Sequence, residues 1–226
     1  MPAKGVLIIP ICTLEVSGVL LFCRSDVTQK YKLNEVWLMN KKVIMLCESA
    51  VMIALATVLS LLKIEWPFGG SITIFSMLPI LIIGYRYKPL WGMFTGVIYG
   101  LVQLLLGVSN YAYATSAMAV IMITLFDYLV AYGVVGLGGV FRGIKNQAVG
   151  LGLGAVLAGG LRFVCHFISG ITVWGGFAED MPAWLYSITY NGAYMLPETI
   201  ILVVGAVVLG LIVDFRSPKL GAVKSK

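Results

Sequence analysis

Charge is what this chain has least of. Of its 226 residues only 12% are charged, 16 Lys or Arg against 10 Asp or Glu, where soluble domains carry roughly 25%. That scarcity excludes an ordinary soluble globule. Histidine occurs once, as His166, and the four cysteines, Cys12, Cys23, Cys47 and Cys165, show neither CxxC nor metal-ligand spacing. A disulfide framework and a cysteine–histidine metal site are thereby excluded, and the cysteines are expected to serve as small buried hydrophobes. There is no HExxH, no carboxylate pair at i, i+4, no supported Ser–His–acid set and no phosphate-binding glycine loop. The chain therefore offers no recognisable enzyme chemistry, no cofactor or metal site, and no means of hydrolysing ATP by itself. A net charge of +6 would suit nucleic acid only if the bases shared a soluble face. They fall instead in short clusters between apolar runs, so nucleic acid is not an expected partner.

What the chain has in abundance is apolar surface. Sixty per cent of its residues are hydrophobic, the mean hydropathy is +0.97, and several runs reach the about 20 residues that a helix needs to cross a bilayer. The fold class expected is an all-α integral membrane protein, a bundle of six transmembrane helices set among membrane lipids. The crossings are placed near residues 43–62, 71–84, 90–106, 113–140, 148–173 and 183–213. The second is short and contains Pro79, so it is tilted, kinked or shielded by protein. Residues 1–40 lack a clear period and are expected to form a weakly ordered or peripheral extension, with the working protein beginning near Met39. The six-helix domain then covers 41–216 and a cytoplasmic tail 217–226. Lys41 and Lys42, Arg86 and Lys88, Arg142 and Lys145, and Arg216 and Lys219 mark alternate connections. By the positive-inside rule both termini are cytoplasmic and the aromatic connections face outward.

Small residues predict where helices approach. Gly92, Gly96 and Gly100 recur every four residues, and Ala50 and Ala54 share one face of the first helix, a packing surface for another helix of this chain or of a partner. The remaining polar groups concentrate in two facing segments. Arg162, His166, Gly170 and Trp174 fall at i, i+4 intervals on one helical face, and Tyr186, Tyr190, Asn191 and Tyr194 follow near the start of the last segment. Both sets lie at the same outer depth, which predicts a small-molecule pocket. Aromatic faces attract cations and stack on rings, while Asn, His and a carboxylate fix ring nitrogens and amino groups. The ligand expected is planar and polar, and such a pocket also suits a cationic one. Asp127, in the middle of segment four, either bonds another helix or Arg162, or contacts that ligand. Arg162 and Glu198 read as supports rather than direct contacts. A membrane-embedded enzyme built on Asp127, His166 and Arg162, or an assembly subunit, are the alternatives from other classes.

The string His166-Phe-Ile-Ser-Gly170, then Trp174, then Tyr186 and Asn191, resembles the thiamine-specific substrate-binding component of the energy-coupling-factor vitamin transporters. GLGGVFR at 136–142, LFDYLVAY at 125–132 and CESAVMIALA at 47–56 extend the likeness over residues 43–213. The resemblance implies high-affinity thiamine capture from outside the cell by a non-enzymatic subunit in a prokaryotic cell membrane. A different vitamin or a thiamine precursor is the nearest rival ligand. It also implies work with a transmembrane coupling protein and two cytoplasmic ATPase subunits. By position, Asp127, His166, Gly170, Trp174, Tyr186 and Asn191 line the site, with Asp127 facing the ligand's positive charge. Ala50 and Ala54 match the stripe that docks on the coupling protein. Two departures stand out. A family aromatic before the second helix is Gly70 here, with Trp66 four residues earlier, and a family tyrosine ahead of the acid is Ala117, with Tyr113 one turn outward.

Overall fold

The protein, a computed structural model, is described over residues 26–65, 70–178, 180–217 and 220–223, with side chains described from residue 41. It divides into two compact units, Met1–Val43 and Ile44–Lys226. Of the first, the described part is backbone helix. Helix α1, Asp26–Leu61, begins well before the first expected crossing, so the extension expected at 1–40 is helical from residue 26. The question of residues 1–25 lies outside the described residues.

In the second unit the expected helices follow in order: α2, Leu78–Tyr87; α3, Pro89–Leu106; α4, Ala117–Gly143; α5, Gln147–Thr172; and α6, Ala183–Ile212. Among the described residues five helices are long and apolar enough to cross a membrane. The chain is an all-α, multi-spanning membrane protein. The segment counted second is different in kind. It opens as strand β2, Ser71–Thr73, which pairs antiparallel with β1, Lys63–Glu65, in a small hairpin. It then turns through Phe75 at a φ of 59° into an α2 of only ten residues, about 15 Å long. Nine of those ten residues are buried, which is the condition under which non-helical backbone survives at membrane depth. A second two-residue pairing, β3 (Val213–Asp214) with β4 (Gly221–Ala222), folds the tail back.

Three features position the cavity described below. The first is a glycine seam between α3 and α4. A Cβ on Gly96 would meet the Tyr132 carbonyl, one on Gly100 the Tyr128 carbonyl, and one on Gly136 the backbone of Gly92 and Met93. Backbones in direct contact leave no volume for a methyl group. Gly136→Ala is expected to cost at least about 1–3 kcal/mol through overpacking, whereas Gly160→Ala, where nothing lies within 4 Å, should be neutral or better in a helix interior. Thermal melting of the two variants in detergent checks the contrast.

The second feature is α4 itself. It is a regular α-helix only at Ala117–Met122 and Val130–Gly133; Ile123–Leu129 is a π turn and Val134–Gly143 winds as 3₁₀-helix. Such π turns are rare and frequently mark functional sites, and this one carries Asp127. The third is the way α1 is held. Its buried residues after Val43 are Ser49 and Ala56, and three bonds from α3 run along that line: Trp91 Nε1 to Ser49 Oγ (2.9 Å), Tyr99 Oη to the Ala56 carbonyl (3.3 Å) and Gln103 Nε2 to Ser60 Oγ (2.8 Å). Ala50 and Ala54 point the other way and are exposed, so no part of the described chain covers the small-residue stripe. Cys47 is exposed as well, which corrects the expectation that the cysteines are buried; Cys165 is buried.

The end of the bundle away from the hairpin is tied by basic side chains. Arg86 pairs with Glu48 (2.7 Å) and donates to the Ser217 carbonyl (2.9 Å), while Arg216 reaches Tyr85 Oη (2.7 Å) and the Lys145 carbonyl (3.2 Å). Gln147 Nε2 donates to the Val213 carbonyl at 2.6 Å. Gln147 Nε2, which also donates to the Gly210 carbonyl at 3.1 Å, thus serves the end of α6, where carbonyls lack intrahelical partners.

Candidate binding site

At the hairpin end lies a cavity of about 700 Å³, walled by the hairpin, the ends of α1 and α3, the π turn of α4, and the facing stripes of α5 and α6. That volume falls in the range of small-molecule sites. Asp127, His166, Gly170, Trp174, Tyr186, Tyr190, Asn191 and Tyr194 all line it.

Asp127 is the centre of its polar side. Oδ2 accepts from Ser169 Oγ (2.8 Å) and from the Trp174 indole N–H (3.4 Å), and Oδ1 faces His166 Nδ1 at 3.1 Å. A carboxylate oxygen without a proton can only accept, which makes Nδ1 the donor of this contact; in the neutral tautomer that fits it, Nε2 is an acceptor. Nε2 is buried and has no hydrogen-bond partner among the described residues. A buried polar atom left unpaired costs about 1–3 kcal/mol, and here it borders a cavity that a ligand group can enter. Ser169 donates to the acid and not to the imidazole, so the nucleophile–base contact of a hydrolytic triad is missing. Among the described residues no three His, Cys, Asp or Glu side chains gather as a metal site.

Of the alternatives open for Asp127, the ion pair with Arg162 does not form. Arg162, 6% exposed, instead pairs through Nη1 with Glu198, 2% exposed, at 2.5 Å, and its guanidinium lies 5.0 Å from the Tyr132 ring centre. The reason is helical spacing. Arg162 stands one turn deeper than His166 on α5, level with Glu198 of α6, while the π turn directs Asp127 toward the shallower His166 and Ser169. Both members of the deep pair line the cavity. They form its floor.

The facing wall is aromatic. Tyr186 and Tyr190 stack at 5.5 Å between ring centres, and Tyr190 meets Tyr194 edge-on at 5.8 Å. Asn191 braces the α5–α6 contact: its Nδ2 donates to the His166 carbonyl (3.2 Å) and the Ser187 carbonyl (3.0 Å), and its Oδ1 accepts from Tyr194 Oη (2.8 Å). Among the described residues Oδ1 has no second donor, which leaves it one lone pair. Gly170 allows this approach, since a Cβ there would meet Ser187 Oγ and Asn191 Nδ2.

The two other expected positions, Tyr113 and Trp66, and the two departures, Gly70 and Ala117, fare differently. Tyr113 is not a lining residue but backs one, its ring 5.5 Å from that of Trp174. Trp66 lies outside the described residues. Ala117 is exposed at the start of α4, and Gly70, at a φ of +74°, lies against the Tyr194 ring so closely that a Cβ would collide with it. An aromatic at residue 70 is therefore excluded by Tyr194. Sequence reading missed the hairpin residues Lys63, Glu65 and Thr73, and also Gln103, Tyr128 and Tyr132, all of which line the cavity. An amide within an apolar helix was an available signal for Gln103; the hairpin offered none.

Residues 46–217 match the family described as "Thiamine transporter protein". A protein of Bacillus subtilis (strain 168) named thiamine transporter ThiT is 35% identical over 176 residues, spanning 72% of this chain and 88% of that relative. A protein of the same name from Lacticaseibacillus paracasei is 24% identical over 177 residues, 73% of this chain and 86% of its own length. A solved structure of ThiT from Listeria monocytogenes superposes with a TM-score of 0.61 at 25% identity, covering 75% of this chain and 94% of that one.

Proposed function

The chain belongs to the thiamine transporter protein family, and from that premise we propose that it captures thiamine from outside the cell. In this reading it is the substrate-binding subunit of an ATP-driven energy-coupling-factor transporter. It is a binding protein rather than an enzyme, seated in a prokaryotic cell membrane. The observation that carries the ligand assignment is the acid–imidazole pair, Asp127 with His166, whose Nε2 stands buried and open beside stacked tyrosines. Thiamine joins an aminopyrimidine to a cationic thiazolium. His166 Nε2 and the spare lone pair of Asn191 Oδ1 suit the amino hydrogens, the Asp127 carboxylate opposes the positive charge, and Trp174, Tyr186 and Tyr190 supply ring faces.

The membrane arrangement follows from the same reading. The hairpin end faces outward and the Arg86–Lys145–Arg216 end faces the cytoplasm, with both termini there. Residues 71–87 make the sixth crossing as a buried strand and half-helix. Energy comes from two cytoplasmic ATPases through a transmembrane coupling protein, which docks on the exposed Ala50–Ala54 face of α1.

Calorimetry with the purified protein tests the ligand. Binding heat and a change in Trp fluorescence are expected at or below micromolar thiamine, because a saturated cavity places a charged ring against the Trp174 indole. No heat and no fluorescence change at that concentration would remove thiamine as the substrate.

A further inference from the structure

Glu198 is a carboxylate at the cavity floor, and it does more than neutralise Arg162. Its Oε2 takes the Arg162 guanidinium, while its Oε1 accepts from both the backbone N–H (3.2 Å) and the hydroxyl of Thr73. Thr73 Oγ1 also shares a hydrogen bond with Ser76 Oγ at 2.6 Å. Thr73 ends the strand that walls the cavity. A buried ion pair is in itself weak evidence for stability, since apolar residues of similar size often do as well. Holding a strand end by its N–H is something an apolar pair cannot do.

Among its described residues the rest of the hairpin has few other contacts to hold it. Lys63, Ile64 and Glu65 of β1 are all exposed, and the Lys63–Glu65 pair at 3.4 Å is a surface contact. Strand β2 and the residue before it meet α6 along one helical stripe: Gly70 lies on the Tyr194 ring, Ile72 is buried with Tyr194 and Met195, and Thr73 bonds Glu198. Two of these contacts are apolar and shared with the cavity wall. The third is directional and charge-assisted, the stronger kind.

We propose that Glu198 is a positioning residue: through Thr73 it fixes the hairpin against the cavity-lining stripe of α6 and so sets how fast a bound ligand leaves. The kinetic part rests on the thiamine reading above. The latch itself does not, because it is made entirely of protein groups.

Thr73→Val tests it without disturbing the Arg162–Glu198 pair. In ligand-free protein, amides 71–73 should exchange hydrogen about tenfold faster than in the unaltered chain while those of α5 and α6 keep their protection. Thiamine dissociation, followed by Trp fluorescence, should quicken at least about tenfold, as expected for loss of a hydrogen bond to a charged group. Thr73→Ser, which keeps the hydroxyl, should hold both rates near their original values. Unchanged exchange at 71–73 overturns the proposal, as does exchange that rises equally throughout α5 and α6, the mark of a merely structural role. Faster hairpin exchange with unaltered dissociation overturns it too. If the unaltered protein binds no thiamine, the reading of the ligand fails while amide exchange still decides the latch.

Discussion

Asp127→Asn is expected to weaken thiamine binding on the order of 100-fold or more while leaving the ligand-free protein folded. The carboxylate collects three donors, the His166 N–H, the Ser169 hydroxyl and the Trp174 indole N–H. An amide has one acceptor oxygen and an NH₂ that can only donate, so at least one donor loses its partner. If the NH₂ turns toward His166, Nδ1 must become the acceptor, and Nε2 becomes a donor pointing at the ligand's amino group. The variant thus loses the charge opposite the thiazolium and risks reversing the polarity of the imidazole. Truncating one side of a buried charge pair typically costs about 2–5 kcal/mol, and about 1.4 kcal/mol is a factor of ten. Melting without ligand should change far less, because Arg162 has Glu198 and is not stranded. Calorimetry on the variant measures the first quantity and thermal unfolding the second. Equal affinities would remove Asp127 from the site.

How much of this arrangement could be read in advance depends on the kind of regularity that carried it. The stripe Arg162, His166, Gly170, Trp174 was legible because α5 is a regular helix, so i, i+4 spacing maps directly onto one face. Tyr186, Tyr190, Asn191 and Tyr194 were legible for the same reason on α6, and all but Arg162 of these residues had been expected to meet a ligand. The glycines at 92, 96 and 100 marked a helix contact, and the contact is there, against Tyr128, Tyr132 and Gly136.

Irregular backbone was not legible. The π turn at Ile123–Leu129 changes which residues share a face with Asp127, and no α-helical period reveals it; the choice between Arg162 and His166 as its partner turned on that single turn. The hairpin was missed because strands of three residues, one of them wholly exposed, carry no alternation to read. Segment two read as a short helix because its apolar run continues through the strand, the Phe75 turn and α2 alike. Hydropathy reports burial there, and burial does not distinguish the three conformations. Glu198 was recognised as a support, but its partner across 36 residues of sequence and the hairpin strand it holds both required the fold.

The same floor yields the second large effect. Arg162→Met should destabilise the protein by about 3–5 kcal/mol, because it leaves Glu198 as a buried, uncompensated charge. At about 2–4 °C per kcal/mol, that corresponds to roughly 10 °C in melting temperature. The neighbouring Met77 sulfur, 3.3 Å from Nη1, and the Tyr132 ring can pack against a thioether, so lost volume is not the main cost. Adding Glu198→Leu in the same chain removes the stranded charge, and the double variant should regain most of the lost stability, since apolar replacement of a whole buried pair is often neutral or better. It should not regain slow ligand release, because leucine cannot hold the Thr73 N–H. Melting curves and thiamine dissociation rates on the single and double variants therefore move apart. A double variant that stays as unstable as Arg162→Met would mean that the pair contributes packing or hydrogen bonds that leucine and methionine cannot replace. Recovered melting with fast release would separate the two roles of Glu198, charge partner to Arg162 and anchor of the hairpin, within one set of proteins.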